Sequence, residues 1–228
     1  MKKKEKKDYI FSRLDAVLKP AGYKSFKTGG DPTYVLNSDD MAVYFFMNFK
    51  DMGYVTFSSL YISIHIVENI LHSFCPYDDS VIDKKKYFPD TIYDRNIKVI
   101  EGYRRGIGYD IEEKSQLEEF TDWVIDYLEN DGKQFIETYS YLPNVLKRMD
   151  ELTIEGKVWQ NNEVGILSGA LDAQLRGLII SKLCNDNGLN DKILMCDEIF
   201  YRDQYKDWLP YYIKLKEQLP SIQPLYNV

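Results

Sequence analysis

MAVYFFMNFKDMGYVTFSSLYISIHIV, residues 41–67, decides how the rest of the chain is read. Two apolar, aromatic-rich runs are joined by Lys50-Asp51-Met52-Gly53, a polar break ending in glycine, and the pattern predicts a β-hairpin. With that loop Phe49 pairs with Tyr54, Met47 with Thr56, Phe45 with Ser58 and Val43 with Leu60. Side chains alternate along a strand. One face therefore collects Val43, Phe45, Met47, Phe49, Leu60, Ile62, Ile64 and Ile66, and this face is core. The other collects Ala42, Tyr44, Phe46, Asn48, Val55, Phe57, Ser59, Tyr61, Ser63 and His65, which mixes rings, hydroxyls and amides. Such a face is either covered by helices or lines a groove. In the second case Tyr44, Asn48, Tyr61, Ser63 and His65 surround a ligand pocket.

Working outward, residues 8–21 place Ile10, Phe11, Leu14, Val17, Leu18 and Ala21 at spacings of three and four, the stripe of an amphipathic helix. Gly22 stops it, and Pro20 in the last turn predicts an end a residue or two earlier. Strands follow at 23–27 and 33–37, separated by Thr28-Gly29-Gly30-Asp31-Pro32, and Ser38-Asp39-Asp40 turns the chain into the hairpin. Residues 68–106 read as a short helix near Ile70, Leu71 and Phe74, then a long surface excursion through Pro76, Asp78-Asp79, Lys84-Lys85-Lys86 and Pro89. Segments 97–100 and 107–111 are further strand candidates.

After residue 114 the period becomes helical. Ser115-Gln116-Leu117-Glu118 fits a capping box, and Leu117, Phe120, Val124, Tyr127 and Leu128 form a buried stripe. Short helices follow at 133–139 and 143–152, the latter with Pro143 in its first turn. A helix at 164–184 carries Gly165, Gly169, Ala173 and Gly177 at every fourth position. Each glycine costs about 1 kcal/mol relative to alanine inside a helix, so this edge implies close approach by a neighbour, which in one reading is a second subunit. Helices at 191–201 and 205–219 end the chain. The class is α+β: an N-terminal helix packed on an antiparallel sheet, followed by a helical half. The division falls into a sheet domain at 1–113 and a helical region at 114–228, separate or packed as one unit.

Leu18-Lys19-Pro20-Ala21-Gly22-Tyr23-Lys24 after the first helix, and Phe46-Met47-Asn48-Phe49-Lys50 followed by a glycine and a second alternating strand, resemble an uncharacterised bacterial domain family. In it a helix ends in "LKPLGF(K)" and a strand carries "INFQKS". The resemblance covers roughly residues 8–113. Lys50 stands where the family often has glutamine. It implies an α+β fold and no catalytic residue. By analogy, many small bacterial families of this kind are toxin-neutralising, immunity-type or other binding proteins.

Charge narrows the partners. The formal net charge is −7, and the run Lys2-Lys3-Lys4-Glu5-Lys6-Lys7 contributes +4, which leaves −11 for residues 8–228. An acidic body repels phosphate backbones, which argues against nucleic acid as a partner. The lysine run reads as a solvated helix start or a disordered tip. No apolar segment follows it, so the expectation is neither a secretory signal nor a membrane span. Cys75, Cys184 and Cys196 are odd in number and widely spaced, like reduced thiols of a cytoplasmic protein.

The residues that carry chemistry are sparse. His72-x-x-Cys75 supplies two metal ligands where a structural site needs four, and no dinucleotide, phosphate-loop, serine-hydrolase or zinc-protease motif is present. Neither metal nor cofactor is expected. Gly102-Tyr103-Arg104-Arg105-Gly106-Ile107-Gly108 holds two arginines able to meet an anion, though it also reads as a solvated turn. The sharpest feature is 110–131, where nine acids face Lys114 alone. On the helix Glu118, Asp122, Asp126 and Glu129 line one strip, which weakens the helix by a few tenths of a kcal/mol per like-charged pair. The strip is either a solvated face or a docking surface for a basic protein. The leading expectation is a non-enzymatic binding protein using that strip. A ligand binder or enzyme on the hairpin face, and an oligomerisation module, are the alternatives.

Overall fold

A computed structural model describes residues 1–27, 33–75 and 89–228. The turn expected at 28–32 and most of the excursion, at 76–88, lie outside the described residues. Helix α1 (Lys3–Leu18) takes in the lysine run as its first turns and buries Ile10, Phe11, Leu14 and Leu18. It ends before Pro20, and Gly22 supplies the positive φ, +91°, that turns the chain back.

Strands β1 (Lys24–Ser25), β2 (Tyr34–Asn37), β3 (Met41–Phe45), β4 (Met47–Phe49), β5 (Tyr54–Phe57) and β6 (Tyr61–Ile64) follow, then helix α2 (His65–His72) and the short strands β7 (Ile92–Tyr93) and β8 (Tyr109–Asp110). They form two antiparallel sheets, ordered β1-β2-β3-β6-β7 and β4-β5-β8. The expected single hairpin is thus divided. In the first sheet Val43 lies opposite Ile62 and Tyr44 opposite Tyr61, so the two faces are those expected, with Val43, Phe45 and Ile62 fully buried. In the second, Met47 lies opposite Phe57 and Phe49 opposite Val55, not Thr56 and Tyr54.

Two added residues are the cause: the loop between Phe49 and Val55 holds five residues, closed by Lys50 N–H donating to the Tyr54 carbonyl (2.8 Å), and one extra residue lies between β5 and β6, which brings Val43 opposite Ile62 where Leu60 was expected. Ser59 takes φ +100°, Ser58 N–H donates to the Phe46 carbonyl (3.0 Å), and Phe46 N–H donates to Ser58 Oγ (2.9 Å). A slip of one residue exchanges the faces of a strand. Val55 and Phe57, expected on the mixed face, therefore enter the core at 1% and 6% exposure. Phe57 meets Phe45 edge to face at 5.3 Å, Phe45 stacks on Tyr34, and Tyr34 stacks on Phe11, so α1 covers this side of the strands.

β6 also stops earlier than expected. Ile64, Val67, Leu71 and Phe74 recur at three and four, and this helical stripe overrides the alternation, so α2 starts at His65 and buries Val67 and Leu71. Ile66 is consequently exposed instead of core. Residues 97–100 form no strand, β8 is a two-residue remnant of the expected 107–111, and β7 has no counterpart among the expected strands.

The second half comprises α3 (Lys114–Glu129), α4 (Asp131–Tyr139), α5 (Leu142–Ile154), α6 (Leu171–Leu183), α7 (Leu189–Phe200) and α8 (Leu209–Gln218). The capping box of α3 is Glu113 with Gln116, whose Oε1 accepts Glu113 N–H at 2.9 Å, two residues before the expected Ser115 pair. The expected helix at 164–184 is helical only from Leu171. Gly165 packs on the backbone of Asn161, and Gly169, at φ +95°, sits in the turn before α6. The small residues therefore form no continuous edge, which removes the geometric basis of a subunit seam. At Gly177 the close neighbour is Trp159, whose Cζ3 lies 2.2 Å from where a Cβ would stand. One hydrophobic core runs from α1 through both sheets to α8. Among the described residues no helix is long and apolar enough to cross a membrane.

Candidate functional site

The mixed face of the first sheet begins with Tyr44 and Tyr61, which β3 and β6 set directly opposite. Their rings stack at 5.3 Å, and Tyr61 also stacks on Phe46 (5.7 Å) and meets Tyr93 of β7 at 5.3 Å. Tyr44 is buried and donates to Asp90 Oδ1 (2.8 Å), while Ser168 donates to Asp90 Oδ2 (2.6 Å), so the face is sealed by a loop from each half of the chain. Burial and the Asp90 charge push the Tyr61 phenol up to about 12.

The other residues expected beside them are dispersed. Ser63 is buried, and Asn48 is exposed on β4 in the other sheet. His65 opens α2, its Nδ1 3.0 Å from the Asp39 carbonyl, and lines a separate groove of about 860 Å³ with Asp39, Asp40, Ile66 and Tyr226. The five do not surround one pocket.

A smaller cavity of about 230 Å³ opens where the two sheets part. Its wall includes Ser58, Tyr93, Arg95, Tyr103, Arg105 and Trp123. Arg95 is 6% exposed, with its guanidinium carbon 3.7 Å from the centre of the Tyr93 ring. Its Nη2 donates to the carbonyls of Leu167 (3.0 Å) and Gln160 (3.4 Å), while the buried Nε and Nη1 meet no acceptor among the described residues. Asp94, next in the chain, does not compensate it, because its carboxylate accepts the Tyr127 hydroxyl (2.7 Å) and the Asn96 amide (2.8 Å). Burial lowers the Arg95 pKa, opposed by the Tyr93 and Tyr61 phenols. Sequence reading singled out Arg105 but not Arg95, whose significance comes from two nitrogens without an acceptor among the described residues, which no spacing encodes.

The acidic strip is on α3. Asp122, Asp126 and Glu129 are exposed and Glu118 half-buried. Glu118 pairs with Lys114 (3.3 Å) and Asp122 with Arg13 of α1 (2.7 Å). Asp126 accepts from Asn130 Nδ2 (2.9 Å), and among the described residues neither Asp126 nor Glu129 has a basic partner. The Gly-rich turn behaves differently from a free anion cradle: Arg104 lies over the Tyr54 ring, and Arg105 Nη2 donates to the Ile97 carbonyl at 3.1 Å.

A third cluster is buried. Glu68 of α2 accepts Nε (2.8 Å) and Nη2 (3.0 Å) of Arg176 from α6 and the Thr91 hydroxyl (2.7 Å), with His72 Nε2 at 3.4 Å. Asp172 engages the Nη1 of Arg176. Glu68 and Arg176 are 2% exposed, so this pair pins α2 to α6 out of contact with solvent, while His72 and Asp172 at its edge are partly exposed. Among the described residues no group of three or more His, Cys, Asp and Glu side chains is arranged to hold a metal ion. Comparison with protein-family models, with curated proteins and with solved structures finds no match.

Proposed function

We propose that this chain is a non-enzymatic binding protein that docks a basic protein against the acidic face of α3, in the manner of a toxin-neutralising protein. The observation that carries the reading is the pair Asp126 and Glu129, exposed carboxylates at one end of a like-charged strip with no basic partner among the described residues. Such charge contributes nothing to the helix. It speeds association with a cationic surface and selects against acidic ones. The net −11 of residues 8–228 extends the same field over the body. Residues 8–113 resemble an uncharacterised bacterial domain family with no established activity, and the analogy with small toxin-neutralising families supports a binding role.

The test is association of the full chain with a basic partner protein from its own cells, measured for wild type and D126K/E129K across a salt series. Both side chains are exposed and have no basic partner among the described residues, so the variant retains wild-type stability within about 0.5 kcal/mol. Expected is a slower association rate in the variant and, in wild type, an affinity that falls as salt rises. A partner held equally by both proteins, at low and high salt alike, sinks the reading.

A further inference from the structure

We propose that the cavity between the two sheets is a binding site for a small organic carboxylate borne on a flat ring, with Arg95 as its counter-charge. The inference is independent of the docking surface on α3 and rests on different residues.

Three observations converge. The first is the uncompensated cation. A guanidinium removed from water is costly to leave without acceptors, and among the described residues Arg95 Nε and Nη1 meet none while its Nη2 is held by two carbonyls. Those two contacts and the Tyr93 ring fix the plane of the guanidinium, so its remaining N–H groups are oriented before any ligand arrives. A planar carboxylate matches a guanidinium in shape and charge.

The second is the wall. Tyr93, Tyr103 and Trp123 line the cavity, and they pack through Tyr103–Trp123 at 5.3 Å and Phe57–Trp123 at 5.7 Å. The polar ends of two of these rings are already engaged. The Tyr103 hydroxyl bonds the backbone of Phe57, and Trp123 Nε1 donates to the Lys98 carbonyl at 2.9 Å. These two rings therefore offer a ligand their faces, which suit a flat body, beside the polar lining of Ser58, Ser59, Asp94 and Asn162. At about 230 Å³ the space is below the range of about 300–1,000 Å³ usual for ligand pockets, so it admits only a small body.

The third is the sign and number of charges. Arg105 stands at the exposed side of the same cavity with one nitrogen committed to Ile97. One buried and one exposed guanidinium beside Asp94, in a protein of net charge −7, favour a single negative charge over a dianionic phosphate.

The probe is 4-nitrobenzoate, read by quenching of tryptophan fluorescence in the full chain and by the melting temperature. Its neutral counterpart 4-nitrobenzamide, phenyl phosphate and inorganic phosphate serve as comparisons. Expected is saturable quenching by the carboxylate that is lost in W123F, with binding weakened several-fold in R105Q and roughly ten-fold or more in R95Q, as for loss of a charged hydrogen bond. Should R95Q fold poorly, R105Q and the amide still decide, because both leave Arg95 in place. Equal binding of the amide, or no saturable response to 4-nitrobenzoate, overturns the proposal. Preference for phenyl phosphate overturns the carboxylate assignment, and binding of inorganic phosphate alone overturns the role of the ring.

Discussion

Replacing Glu68 by alanine tests whether the buried ion pair, and not apolar packing alone, fastens α2 to α6. The carboxylate accepts two hydrogen bonds from Arg176 and one from Thr91. Alanine leaves a guanidinium that is 2% exposed with Asp172 as its remaining acid partner among those given above. Breaking a buried pair from one side costs about 3–5 kcal/mol, because the surviving charge stays dehydrated. For a chain of 228 residues this corresponds to a fall in melting temperature of roughly 6–20 °C. The discriminating comparison is E68M/R176M, in which both charges leave and methionine fills the space. That double variant is expected to be more stable than E68A, since replacing a whole buried pair by apolar side chains is often close to neutral. Urea unfolding at constant m-value reads both. A loss below about 1 kcal/mol in E68A, or a double variant worse than the sum of the two single ones, refutes the reasoning.

Acid provides a second handle on Glu68. Burial alone would raise its pKa, but the hydrogen bonds from His72 and Arg176 outweigh burial and hold it below the ordinary value of 4.5. A carboxylate depressed on folding stabilises fully above its unfolded pKa and loses that contribution as pH falls through the folded one. The wild-type advantage over E68Q therefore shrinks as pH drops below about 4.5 and is constant above it.

Asp15 follows the same sign: burial raises its pKa, yet hydrogen bonds from Lys19, Tyr34 and Lys27 bring it from 3.8 down to about 2. The gap in acid stability between wild type and D15N is expected to close between those two values, and a gap unchanged there, measured by circular dichroism, would contradict it. Gly177→Ala places a methyl 2.2 Å from Trp159 Cζ3. Overpacking of about 1–3 kcal/mol exceeds the roughly 1 kcal/mol gained in helix propensity, so the urea midpoint falls, and a rise would show that Trp159 moves freely.

The parts of this fold that sequence reading recovered are those in which one periodicity rules a long window. The stripe from Ile10 to Leu18, the row Leu117, Phe120, Val124, Tyr127 and Leu128, and the two faces of β3 and β6 all follow from spacing, because each face is buried along its length. Errors cluster where two patterns compete within a few residues. At Ile64 to Phe74 a helical stripe and an alternating run share the same isoleucines, and packing of Val67 and Leu71 decides in favour of the helix. The glycine row from 165 to 177 matched a helical repeat in number, although Gly165 and Gly169 are turn residues. The acidic strip was legible because charge at spacings of three and four needs no tertiary partner. Arg13 could not be anticipated opposite Asp122, since that contact crosses 109 residues of chain.

The cavity and the register slip have one origin. Had β5 continued into β6 without the extra residue, Val55 and Phe57 would lie on the same side as Tyr61 and fill the space beside it. Because Ser59 takes a positive φ, Val55 is buried and Phe57 packs on Phe45 and on Trp123 at the edge of the cavity, and Ser58 and Ser59 are left at the point where the sheets diverge. A non-glycine residue held there costs on the order of 1–3 kcal/mol unless its surroundings enforce it. Here they do: Ser59 Oγ donates to the Asp94 carbonyl, and the Asp94 carboxylate is held in turn by Tyr127 of α3. The helix that displays the acidic strip therefore also props the bulge that opens the cavity. Asp94 links the two, one residue before the arginine whose Nε and Nη1 meet no acceptor among the described residues.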